Sequence, residues 1–206
     1  MIFIIRNKLI IGVEHFSISE DLPDDCIYIS DDEVSEKLEE LIGFVSLDEN
    51  NQLPTNFYET GIIAKHEAQA LEALNNKLLS VKASADNHAK KLVWEVPEVE
   101  KETWQTQEQE ARAWLLDNST QTPVIDVICA QRQCEKEWLV NKVIIKADYY
   151  RSRAAELTAK RQCIEDQLKA AYALKDHYTD QANQLAELQH AINQVQAIST
   201  EIEFVI

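Results

Sequence analysis

The side chains able to do chemistry are few and scattered along the chain. Cys129 and Cys134 stand five apart, a spacing that does not align two thiols on a helix. No His stands nearby at ligand spacing, so both read as small core residues rather than metal ligands. Asp31-Asp32-Glu33 is a carboxylate run of the kind that can hold a cation, yet it falls at an expected helix start. Acids are the ordinary choice there, because they favour the positive end of the helix. His15, His66, His88, His177 and His190 are dispersed, and His88 reads as a packed or hydrogen-bonding residue rather than a base. The tryptophans Trp94, Trp104, Trp114 and Trp138 and the pair Tyr149-Tyr150 read as core anchors. GxGxxG, GxxxxGK[ST], GxSxG and HExxH are all absent. The sequence therefore predicts a protein that is not an enzyme, with no catalytic residue, no metal site and no cofactor.

Composition points the same way. Of 206 residues 45% are hydrophobic, enough for a real core, while three Gly and four Pro are too few for an all-β chain of tight turns. The formal net charge is −16, and residues 1–54 hold 13 acidic against 3 basic side chains. A field of that sign repels phosphate backbones and anionic lipid, so nucleic-acid and membrane-surface partners are not expected. Four cysteines without CxxC read as reduced thiols of a cytosolic protein. The apolar start MIFIIRNKLIIGV is too short and too interrupted to be a membrane span, and it lacks a small-residue cleavage site.

The elements follow from the pattern. Residues 2–5 and 9–13 read as a hairpin turning at Arg6-Asn7-Lys8, and Cys26–Ile29 as a third strand. Ser30 is expected to cap a helix carrying Val34, Leu38, Leu41 and Ile42, which Gly43 ends. Phe44–Leu47 reads as a further strand. Residues 1–53 thus form a small α+β module. From about Ala64 the period becomes helical, with Leu71, Leu74, Leu78, Val81, Ala85, His88 and Leu92 as a heptad seam. Trp94 to Pro97 breaks it, a helix spans Thr103 to Leu116, and Thr122-Pro123 starts another that ends near Gln133. These belong to a helical region over 54–134.

Residues 135–206 read as a long helix or a helical hairpin with coiled-coil character. Its seam runs through Leu157, Ile164, Leu168, Ala171, Tyr178, Leu185, Leu188 and Ile192. Unbroken, it would reach roughly 95–100 Å at 1.5 Å per residue. A monomer of this size cannot cover such a helix along its length. It must fold back near Asp176–Asp180 or pair with copies of itself, which makes a homo-oligomer an expectation. The apolar tail Phe204-Val205-Ile206 also needs a neighbour. The fold class expected is mainly α, with the small α+β module followed by long helices.

Two stretches resemble the tail-fibre assembly proteins of tailed bacteriophages and related phage tail proteins. The first is Glu20-Asp21-Leu22-Pro23-Asp24-Asp25-Cys26-Ile27-Tyr28-Ile29-Ser30-Asp31-Asp32-Glu33, then Leu38 and Asp48-Glu49-Asn50-Asn51-Gln52-Leu53-Pro54. It is similar to the N-terminal module of that family, except that Asn51 stands where the family's turn usually has Gly. The second is Trp104, Gln107, Glu110-Ala111-Arg112-Ala113-Trp114-Leu115, Thr122-Pro123-Val124-Ile125-Asp126 and Arg132.

The resemblance implies a non-enzymatic tail protein, an assembly chaperone or adaptor working by protein–protein binding and helical oligomerisation. Its partner would be a tail-fibre or baseplate component, engaged through Leu22, Pro23, Ile27 and Ile29 of the N-terminal module. It would act in the host cytoplasm during assembly. The alternatives are a structural subunit retained in the virion tail, such as a trimeric fibre, collar or baseplate adaptor, and a general helical scaffold unrelated to phage.

Overall fold

The structure, a computed structural model, describes residues 1–14, 26–177 and 181–204. It is mainly α, as the composition leads one to expect, with a three-stranded sheet at the N-terminus. Strands β1 (Ile2–Arg6) and β2 (Leu9–Glu14) form the hairpin, and β3 (Cys26–Tyr28) lies on the other side of β1, antiparallel to it. Asn7 and Lys8 both adopt positive φ, 52° and 67°, which is the backbone a tight two-residue hairpin turn requires. The segment expected as a strand at 44–47 makes only the isolated bridge Leu9 to Ser46. Its backbone still follows the β2 edge, with Ile10 N donating to Val45 O at 2.9 Å and Leu47 N to Lys8 O at 2.8 Å.

Helix α1 (Asp32–Glu39) is capped one residue later than the sequence suggests. Asp31, not Ser30, is the N-cap, its Oδ1 accepting from Val34 N at 3.1 Å. Glu33 pairs instead with Lys37 one turn on, at 2.6 Å. Phe3, Ile10, Leu38, Leu41, Val45, Leu47 and Phe57 close the module's core. Gly61 is buried against it, and a Cβ there would stand 2.8 Å from both Leu41 Cδ1 and Val45 Cγ2. This Gly in a helix interior is a close-approach device, since helix propensity alone disfavours it by about 1 kcal/mol.

Helix α2 (Phe57–Leu92) begins earlier than its heptad pattern, and α3 (Glu98–Leu116) follows the break at Trp94–Pro97. Then come α4 (Pro123–Arg132), α5 (Lys136–Ala173), a 3-10 turn (Leu174–Asp176) and α6 (Gln181–Ala197). The long C-terminal helix is thus interrupted by the turn at Leu174–Asp176, close to the expected fold-back, and of the two expected forms the chain takes the broken one.

The chain divides into two compact units. One comprises Met1–Lys77 and Gln167–Ser199, the other Leu78–Asp166 and Thr200–Ile206. Each unit draws on two separated stretches of the chain. In the first, Ala70, Leu188 and Ile192 form a buried cluster joined by Ile63 and Tyr172, so α6 covers α2 and the end of α5. In the second, Ala85, Leu157, Ile202 and Phe204 cluster with Leu92 and Ile164, so the C-terminal tail lies on its helices.

Much of both seams is therefore covered from within the chain. Leu157, Leu168, Leu188 and Ile192 are buried, Ile164 and Ala171 partly so, Leu185 is exposed, and Tyr178 lies outside the described residues. On α2, Leu74 and Val81 are buried and Leu78 and Leu92 partly so. Leu71 breaks the expectation: it is 47% exposed, and Ala70 takes the buried position. The real stripe is Ala70, Leu74, Val81, Ala85, with Ala70 buried in one cluster with Leu188 and Ile192 of α6.

Candidate interaction surface

The residues that could do chemistry are largely engaged in structure. Asp31-Asp32-Glu33 serve the N-cap and first turn of α1. Among the described residues, no three His, Cys, Asp or Glu stand together as a metal cage. His66 donates from Nδ1 to Ile62 O at 2.9 Å, and His88 packs edge-on against Phe204 at 5.5 Å; His15 lies outside the described residues.

Cys129 and Cys134 do meet, which the helical spacing alone did not indicate. Gln133 leaves α4 in the left-handed region, φ 51°, and the chain turns so that Cys134 N donates to Cys129 O at 3.2 Å. Both side chains border the buried cluster Ala111, Ile125, Leu139 and Val140. Burial, followed by the hydrogen bond to Cys134, pushes the Cys129 thiol up. A thiol held protonated is a poor nucleophile, so this contact supports packing rather than catalysis.

Of the residues assigned to partner binding on the N-terminal module, the structure describes two, and both are partly buried. Ile27 and Ile29 pack against the module's own core, and Leu22 and Pro23 lie outside the described residues. The reason is size: so small a module must use nearly every apolar side chain to close itself.

The second unit shows how the second stretch of resemblance is held together. Thr122 precedes α4 and Pro123 opens it, but the Thr122 hydroxyl is turned to Asp126 at 3.1 Å and makes no cap bond. The cap comes from α3: the Glu110 carboxylate accepts from Val124 N at 3.2 Å and Ile125 N at 2.9 Å. Two backbone donors at a positive helix end are satisfied by one acid fourteen residues upstream. Replacing Glu110 by Ala is expected to cost roughly 1–2 kcal/mol, and by Gln a smaller amount, read as a shift of the urea midpoint. An unchanged midpoint for Glu110→Ala would show that the cap contributes nothing.

Beside it Glu108, nearly buried, takes Arg112 at 2.8 Å and Arg151 at 2.9 Å, and Arg112 also reaches Asp148. Asp126 pairs with Lys136 at 2.8 Å, and that hydrogen bond holds its carboxyl below the usual range.

What remains is an unpaired surface. Leu139, Val140, Val143 and Ile144 turn one face of α5 into the buried cluster. On the opposite face Trp138, Ile145 and Tyr149 are 42%, 69% and 55% exposed. Lys142 stands in the same row, its ammonium 4.3 Å from the Trp138 ring centre, and Arg132 lies over that ring at 5.4 Å. Lys146 follows one turn later and is exposed. Of the residues expected as core anchors, Trp94 is 81% exposed, and Trp138, Tyr149 and Tyr150 are exposed as well.

The sequence carried a signal for this face. Trp138, Lys142, Ile145 and Tyr149 keep four-three-four spacing, but the buried Leu139, Val140, Val143 and Ile144 alternate with them along the sequence and hide the second stripe. No described helix is long and apolar enough to cross a membrane. Neither a family model, nor a curated protein, nor a solved structure matches this chain.

Proposed function

We propose that this chain is a non-enzymatic bacteriophage tail protein of the tail-fibre assembly class, acting by binding another protein. The observation that carries the binding part is the row of large apolar side chains that α5 presents to solvent, opposite the face it buries. A helix with apolar residues on both faces finds its second cover in a partner. The tail part rests on the resemblance of residues 20–54 and 104–132. It is supported by the turn around Asp48, whose Oδ1 accepts from Asn50 N at 2.9 Å and Gln52 N at 2.8 Å. That turn places Asn51 at φ 59°, a conformation that suits the Gly usual at this place in the family and that Asn tolerates.

Helical oligomerisation is left out of the proposal, because Leu157, Leu188 and Ile192 of the seams lie in clusters closed by the chain's own helices and tail. The test is co-expression with each tail-fibre and baseplate protein of the same phage, followed by light scattering of the purified mixture. A stoichiometric complex with one of them is expected. Absence of any complex overturns the reading. Mass spectrometry of intact virions then separates an assembly factor, absent from particles, from a retained subunit at fixed copy number.

A further inference from the structure

We infer that the outer face of α5, Trp138, Lys142, Ile145 and Tyr149 with Arg132 and Lys146, is a docking groove for one acidic amphipathic helix of a partner protein. The inference rests on the protein-binding reading above and specifies its chemistry. The face is one helix wide: at 100° per residue the three apolar side chains fall within about 40° of one another. From Trp138 to Tyr149 it runs about 16 Å, three turns of helix. The four-three-four steps are those of a seam that accepts knobs from a single facing helix. Asn141 and Ser152 border one side of the stripe, and Lys142 and Lys146 the other.

Charge selects the occupant. The chain as a whole is −16, yet this face gathers Arg132, Lys142 and Lys146; Asp148, on the Asn141 side, is already paired with Arg112, and the other acids of the face stand at its two ends. Those acids are Glu135 and Glu156, and Glu156 is already paired with Arg153 and Lys160. Lys142 stacked on Trp138 keeps its charge beside the apolar contact instead of extended into water. A second copy of this chain would appose the patch to itself, cation against cation, in a two-fold pairing. A partner helix with Leu or Ile along its seam and Glu or Asp on its flanks meets both requirements.

The test uses the full chain and two synthetic helical peptides with the same leucine seam, one flanked by Glu and one by Lys, with binding followed by titration calorimetry. The wild-type chain is expected to bind the Glu peptide at least about tenfold more tightly than the Lys peptide. The double substitution Lys142→Glu/Lys146→Glu should reverse that preference, and Ile145→Glu should remove binding of both. All three positions are exposed, and circular dichroism with the melting temperature verifies that each variant is folded. Equal affinity for the two peptides, or charge reversal without effect on the preference, overturns the inference, as does a wild-type mass in solution that doubles through this face. If the charge-reversed variant still forms the full complex with a tail protein, the groove assignment falls while the function stands. If the Glu peptide binds as expected but no tail protein does, the function falls and the groove stands.

Discussion

Replacing Phe204 by alanine is expected to lower stability by about 3 kcal/mol, near the foot of the range for a buried Phe. Its ring is 9% exposed and lies in the cluster of Ala85, Leu157 and Ile202. Arg153 stacks over it at 4.3 Å and His88 meets it edge-on at 5.5 Å, while Lys160 lies at 5.8 Å. His88 Nδ1 and Arg153 Nε are buried beneath it with no hydrogen-bond partner among the described residues. Removing the ring admits water to both, and that hydration offsets part of the lost apolar burial. This is why the low end of the range applies.

The loss should be local first. The tail is tied by Thr200 to Ser80 at 2.8 Å, by Ile202 N to Ser84 Oγ at 3.2 Å and by Lys160 to Glu203 O at 2.7 Å. With the ring gone, hydrogen exchange at Ile202 should accelerate before the rest of the chain loosens. A protected Ile202 amide and an unmoved unfolding midpoint in Phe204→Ala would mean that the tail is not a fixed part of the fold.

How far the sequence reaches differs sharply between elements. The hairpin, the break at Trp94–Pro97 and the start of α4 are local events, written in Asn7-Lys8, in Pro97 and in Thr122-Pro123, and they were legible. The Glu110 cap was not, because a carboxylate fourteen residues away leaves no mark in the residues it serves. The exposed position of Leu71 was hidden for a related reason. The seam was read by residue size, while the packing turned Ala70, not its larger neighbour, toward Leu188 and Ile192.

The α5 face shows a third kind of limit. Periodicity detects one apolar stripe against a polar background, and between Trp138 and Tyr149 the polar Asn141, Lys142, Lys146 and Asp148 separate two apolar stripes instead of bounding one. Two stripes on opposite sides cancel. Only the knowledge of which side the cluster of Ala111 and Ile125 takes leaves the other one visible. On the N-terminal module the converse holds: Ile27 and Ile29, read as binding residues from the resemblance, are apolar and also pack, partly buried, on the module's own core.

The sharpest test of the fold concerns Leu188, because the C-terminal stripe was open to two readings from sequence alone. Leu188 is 1% exposed and packs with Ala70 and Ile192, with Ile63 and Tyr172 at the edge of the cluster. Every one of those neighbours belongs to the same chain and the same compact unit. Leu188→Ala should therefore cost about 3 kcal/mol, the lost transfer energy plus a cavity that the flanking helices cannot fully close. For a chain of this length that is a fall of roughly 6–12 °C in melting temperature.

The decisive point is how that fall depends on concentration. A stripe covered within one chain gives a melting temperature independent of protein concentration, for wild type and variant alike. A stripe covered by sister copies couples folding to association, so that dilution lowers the melting temperature and Leu188→Ala lowers the mass. Melts at two concentrations a hundredfold apart, with light scattering on the same samples, distinguish the two. A concentration-dependent wild-type melt would return the seam to an interface between copies and remove the ground on which self-assembly was left out of the proposed function.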